Sequence, residues 1–376
     1  MQTLIKASDL ERIGFENGLD AFGIAKAEQF SKTLEILKAR KEQGLHAGMD
    51  FTYRNPVRST TPTITMPDAK SLLVGARSYW KPQEGAFDGS DPQGKVALYA
   101  QENYYERLRE GLSAIADKLE SKGYRTIILI DDNALVDREA AYQAGLGWYG
   151  KNANILIPKR GSWFVLGSIL TNANFEPNTP IKENCGPCTK CINACPTEAI
   201  ISSGVIDSNR CLAWLVQSPK DFPPEFREAL GEKIYGCDDC QDICPINKYE
   251  ERVGDLKTRQ NKSTVSIFDI LEEDDETLIT RYGQWYIPQR DPRYLRRNAL
   301  LVLGNIGNTE SEKVQTLVSR YLESPDSMLR SYAVWTAKRL GFTNLLTGME
   351  NDGSEDVQRE LALQVKPVDK TPKVKN

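Results

Sequence analysis

The sequence predicts an α+β protein built from three consecutive regions. Strand-like and helix-like patterns alternate over residues 1–175, all eight cysteines fall in 176–250, and residues 265–350 are helical by pattern. A chain of 376 residues is long enough for two or three domains with a sizeable core. We therefore expect three domains, followed by a Lys- and Pro-rich disordered tail over 366–376.

The first region combines amphipathic helices with buried strands. Apolar spacing predicts helices over 9–19 and 102–123, and the second is expected to stop at Gly123. Continuous apolar runs, such as Thr-Ile-Ile-Leu-Ile at 126–130, predict strands over 71–76, 125–130 and 163–170. Alternating strands and helices favour an α/β or α+β domain.

The cellular compartment bears on how the cysteines are interpreted. The first ten residues lack the apolar core of a signal peptide, and no stretch approaches the roughly 20 apolar residues of a membrane helix. We expect a cytoplasmic protein with no membrane contact. In that reducing compartment, crowded cysteines indicate metal or cluster ligation and not disulfides.

The first cysteine group has the spacing C-x2-C-x2-C-x3-C-P, which is the bacterial ferredoxin pattern. Its first three thiolates wrap one iron–sulfur cube, and the fourth ligates the neighbouring cube. The members of this group are Cys185, Cys188, Cys191 and Cys195.

The second group, C-x2-C-x3-C-P, lacks one cysteine because Ile234 stands where a full run would have it. Cys211, far upstream, is the natural replacement. We assign Cys185, Cys188, Cys191 and Cys244 to one 4Fe-4S cluster and Cys195, Cys211, Cys237 and Cys240 to the other. The alternative is two structural zinc sites, but a four-cysteine run ending in Cys-Pro is rare in such sites.

The third region contains two similar segments, 296–307 (RRNALLVLGNIG) and 330–341 (RSYAVWTAKRLG), 34 residues apart. This period predicts stacked helix pairs of the HEAT type. The formal net charge of −4 excludes a generally basic surface, so nucleic-acid binding would need a local basic patch. His46 is the only histidine, which excludes most catalytic schemes based on a histidine.

An acidic and glycine-rich stretch follows the strand predicted at 125–130. It reads DDNALVDR at 131–138 and AAYQAGLGWYGKN at 140–152, and TNANFEP follows at 171–177. An acid at a strand end followed by glycines is a plausible cofactor pocket. With the split cysteine groups downstream, the combination resembles the epoxyqueuosine reductase family, and matching elements run from about residue 58 to 341.

The resemblance implies a fold and a reaction. Family members combine a cobalamin-binding α/β domain related to reductive dehalogenases (here 1–175), a dicluster ferredoxin-like module (176–250) and HEAT-like repeats that bind tRNA (265–350). The expected reaction reduces epoxyqueuosine to queuosine at the wobble position of the tRNA anticodon, the last step of queuosine synthesis. Cobalamin is the reducing centre, the clusters supply its electrons, and an external donor such as a flavodoxin or ferredoxin supplies the clusters. We expect a monomer.

Asp131 matches the proton donor proposed for the family. Expelling an epoxide oxygen as an alkoxide is costly, and a positioned acid offsets that cost. Burial beside the corrin would raise the pKa of Asp131 and keep it protonated. The Asp-x-His-x-x-Gly cobalamin motif is absent, because Gly44 precedes His46 where that motif has Asp. The chain also departs from the family at 101–105, where no histidine occurs.

Corrin contacts are expected from six polar residues in matching motifs or near the cysteines: Arg58, Arg138, Lys151, Asn152, Gln217 and Ser218. Arg138 could instead pair with Asp131 or Asp137.

For tRNA, the candidate residues are Arg290, Arg293, Arg296, Arg297, Arg330, Lys338 and Arg339. A solvated helix face is the commoner meaning of such runs. Trp285 and Tyr286 could stack on a base or fill the helical core.

Two other functions fit the same motifs. One is a reductive dehalogenase-like enzyme acting on a small molecule through the same cofactors. The other is an electron carrier with a helical docking module. The extra helical region favours the tRNA-modifying enzyme over the first alternative, and the large region outside the cysteines favours it over the second.

Overall fold

The structure, a computed structural model, describes residues 5–81, 91–248 and 263–368. It divides into two compact units, each made of three chain segments. Unit 1 comprises Met1–Pro82, Glu102–Cys211 and Asp238–Arg259, and unit 2 comprises Gln83–Gln101, Leu212–Cys237 and Gln260–Asn376. None of the helices in the described ranges has the length and apolarity needed to cross a membrane. The predicted tail lies outside the described residues from position 369 onward.

Unit 1 contains helices and strands in alternation. The helices are α1 (Ala7–Glu16), α2 (Ser31–Glu42), α3 (Phe51–Arg54), α4 (Pro56–Ser59), α5 (Pro62–Thr65), α6 (Tyr104–Glu120), α7 (Asp137–Gln143), α8 (Lys190–Asn193) and α11 (Asp239–Asp242). The strands are β1 (Ala21–Lys26), β2 (Ser71–Ser78), β4 (Thr126–Ile130), β5 (Trp148–Tyr149), β6 (Ile155–Leu156), β7 (Phe164–Thr171), β8 (Ile200–Ser202) and β9 (Val205–Ile206). The helices and strands predicted for this region are confirmed, with ends that differ by a few residues.

The main sheet of unit 1 has the strand order β1-β2-β7-β4. Every neighbouring pair is antiparallel, so the structure decides for α+β between the two alternatives. The β-branched run of β4 suits a pleated, half-buried position at the edge of this sheet. Helix α6 packs on this sheet because four of its residues recur at helical spacing and are fully buried. They are Leu108, Leu112, Ile115 and Leu119.

Unit 2 contains a small sheet and, within the described residues, eight α-helices. Its strands are β3 (Gln93–Val96), β10 (Lys233–Tyr235) and β11 (Thr264–Ser266), in the order β10-β3-β11. Its helices are α9 (Leu212–Leu215), α10 (Pro224–Leu230), α12 (Ile267–Glu272), α13 (Asp275–Arg281), α14 (Arg293–Ile306), α15 (Glu312–Leu322), α16 (Ser327–Leu340) and α17 (Glu355–Ala362).

The two similar sequence segments lie on α14 and α16, which pack against each other with α15 between them in the chain. Gly304 of α14 permits this approach, since a Cβ atom there would come within 2.6 Å of the Trp335 ring. Trp335 is almost fully buried, as are Leu300 and Ala333. The helical nature of this region is confirmed, whereas its classification as HEAT-like stays a prediction.

Candidate active site

Asp131 follows strand β4 directly and adopts a left-handed backbone conformation, with φ of +49°. This region is unfavourable for residues other than glycine, and such outliers are concentrated at functional sites. The next residue stabilises the turn, since Asp132 Oδ1 accepts a hydrogen bond of 2.7 Å from the Ala134 N–H. The predicted proton donor therefore lies on a sharply turned loop at the end of edge strand β4, next to the buried residues Leu129 and Ile130.

Helix α4 braces this loop. Ser59 Oγ donates to the Asn133 carbonyl at 2.9 Å, and the Val136 N–H donates to the Ser59 carbonyl at 3.0 Å. Arg58 Nη1 donates to Asn133 Oδ1 at 3.0 Å. Ser59 is fully buried, so these bonds are shielded from water. Arg58, predicted as a corrin contact, lies beside the Asp131 loop and is hydrogen-bonded to it.

Two carboxyl groups at this loop have raised pKa values. Asp131 is exposed when the whole residue is considered. Neighbouring atoms nevertheless exclude water from its carboxyl group, which raises the pKa of Asp131, and the charge of Asp132 raises that pKa further. Burial raises the pKa of Asp137 well above the usual range, Asp131 adds to the rise, and Arg138 opposes it. Asp137 Oδ1 is buried and has no hydrogen-bond partner within the described part of the chain.

Helix α7 brings further polar groups to this part of unit 1. Arg138 is exposed, whereas Glu139 is buried and accepts hydrogen bonds from Gln143 and, at 3.1 Å, from the hydroxyl of Tyr149. Burial and the neighbouring Glu139 raise the pKa of Tyr149, so its phenol stays protonated. Tyr149 was not among the predicted site residues. Its only sequence signal is its place in the glycine-rich stretch.

Three cysteines of the first group and one of the second line the same cleft in unit 1. They are Cys185, Cys188, Cys191 and Cys244, the set assigned to one cluster. Gly150, Lys151, Asn152 and Lys190 line the same cleft. Burial raises the pKa of Cys191, and the other three thiols raise it further. Four convergent thiols are the donor set that a 4Fe-4S cluster requires.

Three of the cysteines assigned to the other cluster also belong to unit 1. The segments of Cys195 and Cys211 are joined by Thr197, whose hydroxyl donates to the Arg210 carbonyl at 2.6 Å. Cys195 Sγ accepts a hydrogen bond of 3.2 Å from the Ala199 N–H. The third is Cys240 of α11, and the fourth, Cys237, belongs to unit 2.

The other predicted corrin contacts fall into two places. Lys151 and Asn152 face the cysteine-bearing segments, since Lys151 Nζ donates to the Gly186 carbonyl and Asn152 Nδ2 to the Cys240 carbonyl. In unit 2, Gln217 Nε2 donates to the Tyr99 hydroxyl at 3.0 Å. Ser218 is 2% exposed. The corrin roles of all six residues stay predictions.

Most of the basic residues predicted to contact tRNA are engaged within unit 2. The prediction is wrong for Arg297, which is fully buried and donates to the carbonyls of Leu215, Ser218 and Lys220. Arg330 forms a two-point ion pair with Asp352, and Lys338 donates to three carbonyls at the end of α17. Local sequence does not reveal these partners, because they lie far away in the chain.

The aromatic pair beside them separates into one core and one surface residue. Trp285 is 5% exposed, stacks between Tyr235 and Tyr282, and donates to the Ala100 carbonyl at 2.9 Å. Of the two predicted roles, stacking on a base or filling the helical core, Trp285 has the second. Tyr286 is 58% exposed, while its N–H donates to the Tyr235 hydroxyl at 2.7 Å.

Comparisons with known proteins identify the family. Residues 184–247 match the 4Fe-4S double cluster binding domain. The chain is 30% identical over 355 residues to epoxyqueuosine reductase of Bacillus cereus, covering 92% of both chains. It is 32% identical over 309 residues to the enzyme of Vibrio cholerae, covering 80% of this chain and 83% of the relative.

The chain belongs to the epoxyqueuosine reductase family. The recognised resemblance is thereby confirmed, and the chain is an oxidoreductase whose cysteine region is a double 4Fe-4S domain. Solved structures agree over nearly the whole chain. An epoxyqueuosine reductase bound to an epoxyqueuosine-modified tRNA stem loop matches with a TM-score of 0.82 at 27% identity, covering 94% of this chain and 96% of that one.

A second solved epoxyqueuosine reductase, from Bacillus subtilis, matches with a TM-score of 0.84 at 27% identity and covers the same shares of both chains. In that structure, an aspartate-bearing catalytic loop is swung out of the active site. The agreement extends across both the α+β part and the helical part, since 94% of this chain is covered.

Proposed function

We propose that this chain reduces the epoxide of epoxyqueuosine in the anticodon stem-loop of tRNA to the alkene of queuosine, and that Asp131 supplies a proton. The reaction consumes two electrons and two protons and releases the epoxide oxygen as water. The observation that carries the proposal is the Asp131 loop. Its backbone is strained, helix α4 fixes it in place, and its carboxyl pKa is raised.

Asp131 acts as a general acid on the epoxide oxygen. Breaking a C–O bond of the epoxide puts negative charge on that oxygen, and a proton donated in the same step offsets the charge. The carboxyl group must be protonated beforehand, and the raised pKa serves that purpose. The catalytic aspartate loop of the Bacillus subtilis enzyme supports this role.

Asp137 is the second acidic group beside the Asp131 loop. Burial raises its pKa well above the usual range, and the charge of Asp131 adds to the rise. A negative charge on Asp131 therefore makes ionisation of Asp137 less favourable.

The surroundings of the Asp131 loop fit a large amphipathic cofactor such as cobalamin. Helices α3, α4 and α5 carry Phe51, Val57 and Ile64, which are 40%, 42% and 51% exposed. Polar groups accompany this apolar surface, among them Arg58, the exposed Arg138 and the buried Asp137 Oδ1, which has no hydrogen-bond partner among the described residues. Such a mixture suits a corrin ring with amide side chains. Bound cobalamin would supply reducing electrons to the epoxide carbon.

We propose the ligand sets assigned from the cysteine spacing for the two clusters. The cleft lined by Cys185, Cys188, Cys191 and Cys244 supports the first set. The bond between Thr197 and Arg210, which joins the segments of Cys195 and Cys211, supports part of the second. Each cluster passes one electron at a time, and an external carrier such as a flavodoxin or ferredoxin renews them.

The helical part of unit 2, proposed as HEAT-like repeats, offers a surface for tRNA. Tyr286 presents an exposed ring on a backbone that Tyr235 holds. The exposed Arg290 follows, and both Gln289 and Arg290 have left-handed backbone angles, at φ of +54° and +57°. A ring for stacking and a nearby cation are what single-stranded RNA recognition uses. We propose that the enzyme works in the cytoplasm as a monomer.

Replacement of Asp131 tests the proposal. Asp131→Asn removes the acid while keeping the shape, and asparagine tolerates the left-handed backbone. We expect turnover of epoxyqueuosine-containing tRNA to fall about 1,000-fold, within the range for loss of a general acid. The measurement is single-turnover conversion with reconstituted clusters and cobalamin, alongside iron content and corrin uptake.

The matched control is Asp132→Asn, which leaves the Asp131 carboxyl group in place and keeps an oxygen for the Ala134 N–H. It removes only the smaller of the two causes that raise the pKa of Asp131, so we expect a much smaller loss of turnover. In the wild type, turnover should decline as the pH rises through the raised pKa of Asp131, because only the protonated acid donates. In the Asp131→Asn variant this decline should be absent. Full turnover in Asp131→Asn would sink the proposal, and turnover of a small halogenated compound in place of tRNA would favour the dehalogenase alternative.

A further inference from the structure

The loop between β5 and β6 contacts the cysteine region at three points. Strands β5 and β6 form a two-stranded antiparallel hairpin, in which Trp148 pairs with Leu156 and Tyr149 with Ile155. Gly150 closes the connecting loop, since its N–H donates to the Asn154 carbonyl at 2.8 Å. Residues 150–152 of this loop are called the bracket below.

The bracket reaches three separate segments. The Lys151 side chain donates from Nζ to the Gly186 carbonyl at 2.8 Å. The Lys151 carbonyl accepts from the N–H of Gly204, in the turn between β8 and β9, at 3.0 Å. Asn152, which is 7% exposed, donates from Nδ2 to the Cys240 carbonyl at 3.3 Å. The bracket thus ties the hairpin to both cysteine groups.

Gly186 lies inside the first cysteine turn. The Cys188 N–H donates to the Cys185 carbonyl at 3.2 Å, and the Gly186 N–H donates to Asn184 Oδ1 at 2.8 Å. The left-handed angle of Gly186, at φ of +50°, presents its carbonyl to Lys151. A single side chain outside the cysteine region therefore restrains the turn that carries the first two ligands.

Lys151 also places a positive charge at the cleft itself. It lines the same cleft as the four thiols Cys185, Cys188, Cys191 and Cys244. One-electron reduction of a 4Fe-4S cluster adds a negative charge to a centre that four thiolates already make anionic. A fixed cation at its edge stabilises the reduced state more than the oxidised state, and so raises the reduction potential.

We propose that Lys151 sets the reduction potential of the cluster held by these four cysteines and positions the Cys185–Cys188 turn around it. The inference rests on the ligand set proposed above and assigns Lys151 to the cluster, where the sequence suggested the corrin. Lys151 then acts on electron transfer in two ways: its bond to Gly186 holds the Cys185–Cys188 turn, and its charge stabilises the reduced cluster. Removal of its charge should leave the other cluster largely unchanged.

Lys190 provides the matched control. It lines the same cleft and carries the same charge, but it is exposed at the start of α8. Water screens an exposed charge more effectively. Within the described residues, no hydrogen bond from its side chain corresponds to the bond from Lys151 to Gly186. Its removal therefore tests charge in the cleft without the restraint on the turn.

The experiment is a redox titration, followed by electron paramagnetic resonance, of the reconstituted full-length chain without substrate. We expect Lys151→Met to lower one of the two midpoint potentials by about 59 mV, a tenfold change in the one-electron equilibrium. Lys190→Met should give a smaller shift, and Lys151→Arg should stay close to the wild type. If Lys151→Met loses iron, Lys151→Gln decides, because it keeps a donor for Gly186 and lacks the charge.

The proposal would be overturned if Lys151→Gln, at full iron content, had the same midpoint potentials as the wild type. It would also be overturned if Lys190→Met shifted a midpoint potential as much as Lys151→Met does. The readout is separate from turnover. A wild-type chain that holds both clusters but ignores epoxyqueuosine refutes the proposed function and leaves this test intact. If both clusters remain bound after Cys244 is replaced, the ligand set of Cys185, Cys188, Cys191 and Cys244 is refuted instead.

Discussion

The carboxyl groups of Asp131 and Asp137 contrast with the side chains of Arg227 and Arg297 in how fully they are hydrogen-bonded. Asp131 is strained and Asp137, the first residue of α7, has a buried oxygen without a partner in the described chain, and both have raised pKa values. In unit 2, buried Arg297 reaches several carbonyls, and Arg227 forms a two-point pair with Glu360 at 2.8 Å. Satisfied charges hold a fold together, whereas unsatisfied ones remain available for chemistry.

Replacement of Arg297 tests this contrast, and we expect it to have the largest effect on stability. Arg297→Met leaves the carbonyls of Leu215, Ser218 and Lys220 without their donor in a buried setting. We expect the free energy of unfolding to fall by about 3 kcal/mol, since each lost partner exposes a desolvation cost. Urea denaturation measures it, with the less buried Arg293→Met as control.

The same variant carries a second expectation. Turnover per folded molecule should be retained in Arg297→Met, because Arg297 has no free donor to offer a substrate. Asp131→Asn should show the opposite pattern, with a free energy of unfolding equal to or above that of the wild type and little turnover. A loss of stability in Asp131→Asn larger than in Arg297→Met would break the comparison.

A smaller effect is expected from a buried polar network that holds the segment of Cys240 and Cys244 in unit 1. Asn247 is fully buried, accepts from the Ser162 N–H at 2.7 Å and donates to the Gln241 carbonyl at 2.8 Å. Asn247→Ala should cost about 2 kcal/mol and reduce bound iron, because Cys244 lies three residues earlier. Iron analysis and denaturation check this, with the exposed Asn209→Ala as control. Full iron and unchanged stability would contradict it.

The smallest expected effect concerns Tyr286. Its ring is exposed, so Tyr286→Ala should leave stability nearly unchanged. If the ring stacks on a base of the tRNA, the substitution should raise KM about fivefold, corresponding to about 1 kcal/mol. Tyr286→Phe keeps the ring and should behave like the wild type. An unchanged KM in Tyr286→Ala would place tRNA recognition elsewhere.

The parts of the fold that depend on local pattern could be predicted from sequence. The apolar run of β4 and the periodic face of α6 specify their own conformation. The cysteine spacing indicates a double 4Fe-4S domain, which is confirmed, whereas the division of the cysteines into two ligand sets stays a prediction. Strand direction could not be predicted, because alternating strands and helices fit parallel and antiparallel sheets alike. Long-range partners were also inaccessible: Lys151 meets Gly186 35 residues later, and Arg297 meets carbonyls about 80 residues earlier.

The three-stranded sheet of unit 2 has a consequence for how the chain is made. Its central strand β3 pairs with β11, and Lys95 faces Thr264, about 170 residues later. At translation rates of 5–20 residues per second, β3 waits roughly 10 to 30 s for this partner. All eight cysteines precede β11 in the chain. A complete set of thiols is therefore synthesised before this sheet can acquire its third strand, so assembly of the clusters does not have to wait for β11.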